Sequence, residues 1–162
     1  MDKAEFSKRV LEVEPTLYHV SKSILFNETD CEDAVQEAIL KAYTKQNSLK
    51  EIKYFKTWLI RIMINECYQF LRTKKQEVSY DDYMQEKPAE DKQYSELYDA
   101  IQKVDLKHRM PIILYYIEGY SINEIAKILR IPTGTVKSRL SKGRELIKGL
   151  LEDEEKQDKS KR

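Results

Sequence analysis

The chain has 162 residues, 41% of them hydrophobic and 35% charged, with a net charge of +1. That is material for one medium domain or two small ones under a richly charged surface. Its four glycines all follow residue 118, so the first 118 residues can hold neither a P-loop nor a dinucleotide fingerprint, and the scarcity argues against a turn-rich β-protein.

In chain order the periodicity predicts helices throughout. Residues 3–13 form a first candidate, and Pro15 opens the next, as proline does in a first turn. Leu17, Val20, Ile24 and Leu25 continue an apolar stripe at helical spacing. Thr29 and Glu32 have capping-box spacing, so a helix is expected from about Asp30, with Ala34, Val35, Ala38, Ile39 and Ala42 inward. After the polar stretch QNSLKEIK, a long helix is expected from Tyr54 to Lys75, burying Phe55, Trp58, Leu59, Ile62, Met63, Tyr68 and Leu71. Residues 76–96 are acidic and poor in aliphatic side chains, and read as a flexible linker.

Beyond it, Leu97, Ile101 and Val104 form a short stripe, and Met110, Ile113, Leu114 and Ile117 form another, which Gly119 ends as a left-handed cap. Ser121 and Glu124 repeat the capping-box spacing ahead of a short helix carrying Ile122, Ile125, Ala126 and Leu129. Ile131 and Pro132 break it, and a last helix is expected over 133–151, followed by a disordered charged tail, 152–162. The expected fold is all-α: two small helical domains, 1–75 and 97–151, joined by the acidic linker. The second is a four-helix domain with a helix-turn-helix.

The near-neutral total hides an uneven distribution. Residues 50–75 carry +5 and residues 132–151 carry +4, while residues 76–99 between them carry −6. Two separated basic blocks fit a chain that touches nucleic acid at two places.

Cys31 and Cys67 stand 36 residues apart, and His19 and His108 are isolated, so no zinc-ligand spacing is present. The thiols read as reduced residues of a cytoplasmic protein. The N-terminus lacks the apolar core of a signal peptide, and no apolar run approaches the ~18 residues of a membrane span. With no nucleophile–base pair, metal cluster or phosphate loop, no catalytic residue, cofactor or small-molecule substrate is expected.

The strongest signal is SINEIAKILRIPTGTVKSRLSKGREL, a helix-turn-helix with a basic second helix. Val136, Leu140 and Ile147 point inward by their spacing, which leaves Lys137, Ser138, Ser141, Lys142 and Glu145 on the opposite side. Lysine donates to guanine edges, and serine donates or accepts at any base. Arg139 and Arg144 flank that face and suit phosphates, and Thr133 and Thr135 stand at the helix N-terminus, which favours anions.

Within that helix-turn-helix, the run IPTGTVKSRLSKGRELI resembles the recognition helix of region 4 of bacterial sigma factors of the extracytoplasmic function (ECF) group. DCEDAVQEAILKAY and YFKTWLIRIMINECYQFLR resemble their region 2, the latter through Phe55, Trp58, Leu59, Ile62 and Asn65. The resemblance implies a subunit that directs core RNA polymerase to promoters. Its first domain would dock on the β′ clamp through Asp33, Gln36, Glu37 and Tyr43. The same domain would open the −10 element using Lys50, Lys53, Tyr54, Lys56, Trp58, Arg61 and Asn65, with a base pocket in loop 47–53. The second domain would read the −35 element through Lys137, Ser138, Ser141 and Lys142 and contact the β flap. The resemblance further implies an anti-sigma partner, often membrane-bound, released under envelope stress. A two-domain repressor or activator acting without polymerase is the competing reading.

Overall fold

The computed structural model describes residues 1–77 and 95–160. Every regular element among them is helical, and the chain divides into two compact units, Met1–Pro88 and Ala89–Arg162. The stretch expected as a linker lies outside the described residues over 78–94; its two ends fall inside helices.

The first unit packs three helices pairwise: α1 (Lys3–Leu25), α2 (Glu28–Thr44) and α3 (Phe55–Glu77), with two short 3₁₀ turns between the last two. Leu17, Val20, Val35, Ala38, Leu59, Ile60 and Met63 are fully enclosed where they meet. Pro15 does not open a helix; it lies inside α1, which is one helix where two were expected. The proline leaves the Leu11 carbonyl without an amide donor, but Leu11 is 66% exposed, so water can satisfy it.

The second helix also starts earlier than expected. Asn27, not Thr29, is its cap, with Asn27 Oδ1 accepting from the Asp30 amide at 3.1 Å. Phe26, between α1 and α2, adopts a left-handed conformation with φ of 61°. That conformation costs about 1–2 kcal/mol for an L-residue. Burying the ring, only 6% of which is exposed, offsets it with about 1.5–3 kcal/mol.

The second unit holds α4 (Ser95–Lys103), α5 (Leu106–Ile112, running on into a π turn over Ile113–Ile117), α6 (Ile122–Leu129) and α7 (Thr133–Ser160). Helix α7 packs against each of the other three. The expected capping box is present: Glu124 N–H donates to Ser121 Oγ at 3.1 Å, and Ser121 N–H to Glu124 Oε1 at 3.0 Å. Gly119 caps α5 with φ of 76°.

Ile117, expected in the core, is 55% exposed. The π turn turns less per residue than an α-helix, so the α-periodic stripe loses its aim there. Leu97, in the first turn of α4, is likewise 55% exposed, and that helix buries Ala100 and Ile101, with Val104 buried just after its end. Helix α7 does not stop at Leu151 with a disordered tail; it continues to Ser160. Glu152 and Lys156, and Glu155 and Lys159, stand at the i, i+4 spacing that supports a helix in water. Glu154 lies 3.7 Å from Lys103 of α4.

A buried arginine was not legible in the sequence. Arg109 is 2% exposed, and its Nη1 donates to the Gln102 carbonyl at 2.8 Å, satisfying an open end of α4.

Gly143 sets how closely α7 approaches α5. A Cβ there would lie 2.8 Å from Ile112 Cγ1 and 3.2 Å from the His108 carbonyl, whereas at Gly149 it would meet nothing within 4 Å. Gly143→Ala is therefore expected to lower stability by about 1–3 kcal/mol. Gly149→Ala should raise it by up to about 1 kcal/mol through helix propensity. Thermal unfolding of the two variants checks this, and equal shifts of one sign would contradict it.

Burial pushes the Cys67 and Cys31 thiols up, and the Tyr120 phenol with them. A thiol kept neutral by burial stabilises the fold below its ordinary pKa of about 8.5, and that contribution is lost as pH rises from there towards the raised native value. Stability should therefore fall on the alkaline side from about pH 8.5. Cys67→Ala should be less stable overall but fall less steeply, as measured by denaturant midpoints across pH.

Candidate nucleic-acid interface

Helix α7 buries Val136, Leu140, Gly143 and Ile147 and exposes Lys137, Ser138, Ser141, Lys142, Arg144 and Glu145. Val136, Leu140 and Ile147 inward and Lys137, Ser138, Ser141, Lys142 and Glu145 outward are as the spacing predicted, with Gly143 added to the inward side and Arg144 to the outward. Thr133 is exposed at the N-terminus and Thr135 is half-buried. Ser138 Oγ donates to the Thr135 carbonyl at 3.0 Å, which leaves the oxygen's lone pairs outward. Lys142 Nζ is 3.5 Å from Glu145 Oε2 in an exposed i, i+3 pair. Arg144 Nη1 donates to the Tyr116 hydroxyl at 3.1 Å. Arg139 differs from expectation: it is half-buried, and its Nε is enclosed without a hydrogen-bond partner.

In the first unit, Lys50, Lys53, Tyr54 and Lys56 are exposed around the second 3₁₀ turn, Ile52–Tyr54, and Asn65 is exposed on α3 with Arg61 half-buried one turn before it. Lys53 Nζ sits 5.1 Å from the centre of the Tyr54 ring and 3.1 Å from Glu51 Oε2. The Glu51 carboxylate, with a smaller effect of Tyr54, raises the Lys53 pKa. Trp58 departs from the DNA-contacting role: it is 7% exposed, with its ring centre 5.8 Å from that of Phe55, and so packs beneath the face as core.

The residues expected to dock on polymerase do not form one patch. Asp33 and Glu37 line a groove of 490 Å³ between α2 and α3, which also holds the Lys41–Glu66 ion pair. Gln36 and Tyr43 line a more apolar groove of 330 Å³ with Phe6, Ile39 and Leu40. Adjacent positions on a helix diverge by about 100°, so Gln36 and Glu37 face different grooves.

Phe6 was missed by sequence reasoning. Its ring meets Tyr43 edge-on at 5.2 Å and Phe55 at 5.8 Å, tying the end of α2 to the start of α3. Tyr116 was missed as well; the signal available was a pair of adjacent tyrosines just before the helix-ending glycine. Among the described residues, no group of three or more His, Cys, Asp or Glu could hold a metal ion, and no helix is long and apolar enough to cross a membrane.

Two helical units, one with a basic loop and one with a helix-turn-helix, define the layout of a promoter-recognition subunit. Comparison with known proteins agrees. Sigma-70 region 2 matches residues 10–77, and Sigma-70, region 4, matches residues 94–147. The ECF RNA polymerase sigma factor SigW of Bacillus subtilis is 32% identical, over 85% of this chain and 83% of that protein. The ECF RNA polymerase sigma-E factor of Escherichia coli K12 is 31% identical, over 73% of this chain and 72% of its own length. Among solved structures, the sigma factor RpoE of Bartonella quintana, in complex with the anti-sigma factor NepR, aligns with a TM-score of 0.77 and 30% identity, covering 91% of this chain and 97% of that one.

The chain belongs to the ECF sigma factors of the sigma-70 family. It is a transcription initiation factor that binds core RNA polymerase and promoter DNA, and not an enzyme.

The Lys142–Glu145 pair yields a direct expectation. Glu145 occupies a lysine of the exposed face and, were that face set against DNA, would bring a negative charge towards the phosphates. In holoenzyme, Glu145→Gln should tighten promoter binding and steepen its salt dependence by up to about one phosphate contact. Filter binding across a salt series reads this, and weaker binding would contradict it.

Proposed function

We propose that the first unit docks on the β′ clamp and opens the −10 element, while the second contacts the β flap and reads the −35 element as duplex. The observation that carries this is the one-sided seating of α7. Its apolar positions are consumed by α4–α6, and what remains outward is a row of lysine, serine and arginine. Lys137 and Lys142 would donate to base edges as point charges, and Ser138 and Ser141 would read their neighbours. Thr133, Thr135 and Arg144 would meet phosphates.

In the first unit, Lys50, Lys53, Tyr54, Lys56, Arg61 and Asn65 would hold the opened strand, with an aromatic ring and cations interleaved as single-strand capture requires. Asp33, Gln36 and Glu37 on α2 would pair with cations of the clamp. The protein would act in the bacterial cytoplasm, held inactive by an anti-sigma factor until an envelope or environmental stress releases it. The Bartonella relative, solved with its anti-sigma factor, supports that form of control.

The test is transcription by core polymerase and this chain on genomic fragments, with start sites mapped. Core alone should start at none of these sites, and the mixture should start at a small common class. Asp33→Lys with Glu37→Lys, both on exposed positions, should weaken core association by tenfold or more, about 1.4 kcal/mol or above. Gel filtration with core reads it. Unchanged co-elution would remove the clamp assignment, and start sites identical to core alone would remove the reading as a whole.

A further inference from the structure

Tyr116 belongs to none of the surfaces assigned so far, yet it is joined to one of them. Its hydroxyl accepts the hydrogen bond from Arg144 Nη1 across 28 positions of sequence, from the π turn of α5 to the middle of α7. The ring is 54% exposed and braced from one side by Tyr115, edge-on at 4.9 Å. The turn that carries it is fixed at its end. Glu118 N–H donates to the Ile113 carbonyl at 3.0 Å, Tyr120 N–H to the Leu114 carbonyl at 2.9 Å, and Gly119 supplies the left-handed residue between them.

An exposed arginine ordinarily loses much rotamer freedom when it grips a phosphate. A phenol oxygen that already holds one Nη group lowers that loss. The guanidinium carries five N–H donors, so one bond to Tyr116 leaves the rest of the fork available for two phosphate oxygens.

We propose that Tyr116 is a positioning residue for promoter binding, holding Arg144 of the recognition helix in the orientation that meets a backbone phosphate. The inference rests on the reading of α7 as the −35 face.

The test uses holoenzyme formed from the full chain and core polymerase, on a promoter mapped with that holoenzyme. Affinity is measured over a salt series for wild type, Tyr116→Phe, Arg144→Ala and the double variant. Tyr116→Phe keeps the ring against Tyr115 and removes only the hydroxyl. Arg144→Ala should weaken binding and reduce the salt slope by about one phosphate contact. Tyr116→Phe should weaken binding about two- to tenfold, as expected for freeing one long side chain, with the slope unchanged. The double variant should bind no more weakly than Arg144→Ala alone.

Wild-type affinity for Tyr116→Phe beside a weakened Arg144→Ala overturns the inference and leaves the −35 reading standing. So does a double variant whose loss is the product of the two single losses, since a merely structural role for Tyr116 would give that result. Wild-type affinity for Arg144→Ala overturns the placement of Arg144 on DNA, and the inference with it.

Discussion

A helix packed on one side can present only its other side, and the second unit depends on that constraint. Helix α7 meets α5 closely enough that a Cβ at position 143 would lie 2.8 Å from Ile112 Cγ1 and force a shift. With Val136, Leu140 and Ile147 buried on the same side, the helix cannot rotate without exposing apolar surface. Each of those side chains contributes about 1.5–3 kcal/mol by burial, more than any single exposed ion pair on the other face can supply. The basic face therefore points outward as a consequence of the core, and it is made of residues that the fold does not need.

The first unit uses an aromatic chain to the same end. Tyr43, Phe6, Phe55 and Trp58 stand in edge-on or tilted contact, running from the exposed end of α2 to the start of α3. The groove lined by Gln36 and Tyr43 and the loop proposed to hold the opened strand are thus rooted in one aromatic cluster. A displacement at Tyr43 has a packed path to the base of the loop, since close-packed interiors transmit strain. The loop itself is polar and made of short 3₁₀ turns, as suits a segment that must fit around bases.

Much of this was legible in the sequence, for identifiable reasons. The Ser121–Glu124 box, the inward set of α7 and the Gly119 cap are local: a few residues decide them, and their spacing is their signal. What was misread depended on neighbours. Pro15 reads as a helix start unless the exposed side of α1 is known to be open to water. Trp58 reads as core by its spacing and as a DNA contact by the family resemblance, and only its burial against Phe55 decides for core. Ile117 follows the α-helical period on paper, and only the π turn takes it off that period. Arg109 and the Tyr116–Arg144 bond join separate helices, and no periodicity reports such pairs. The tail beyond Leu151 was read by composition, which overlooked the i, i+4 pairs that let it stay helical.

The central claim is that two faces of one chain meet two stretches of promoter DNA within the polymerase holoenzyme. The buried native thiols allow a direct measurement, because a cysteine introduced on the surface can be labelled in preference to Cys31 and Cys67. A DNA-cleaving iron chelate attached at Ser141→Cys or at Lys53→Cys reports which bases lie near each position. With core polymerase present, the two positions should cut two separate clusters upstream of the start site, the one from position 141 lying farther upstream. Cutting from position 141 that is absent in holoenzyme, or identical with the chain alone, would contradict the account.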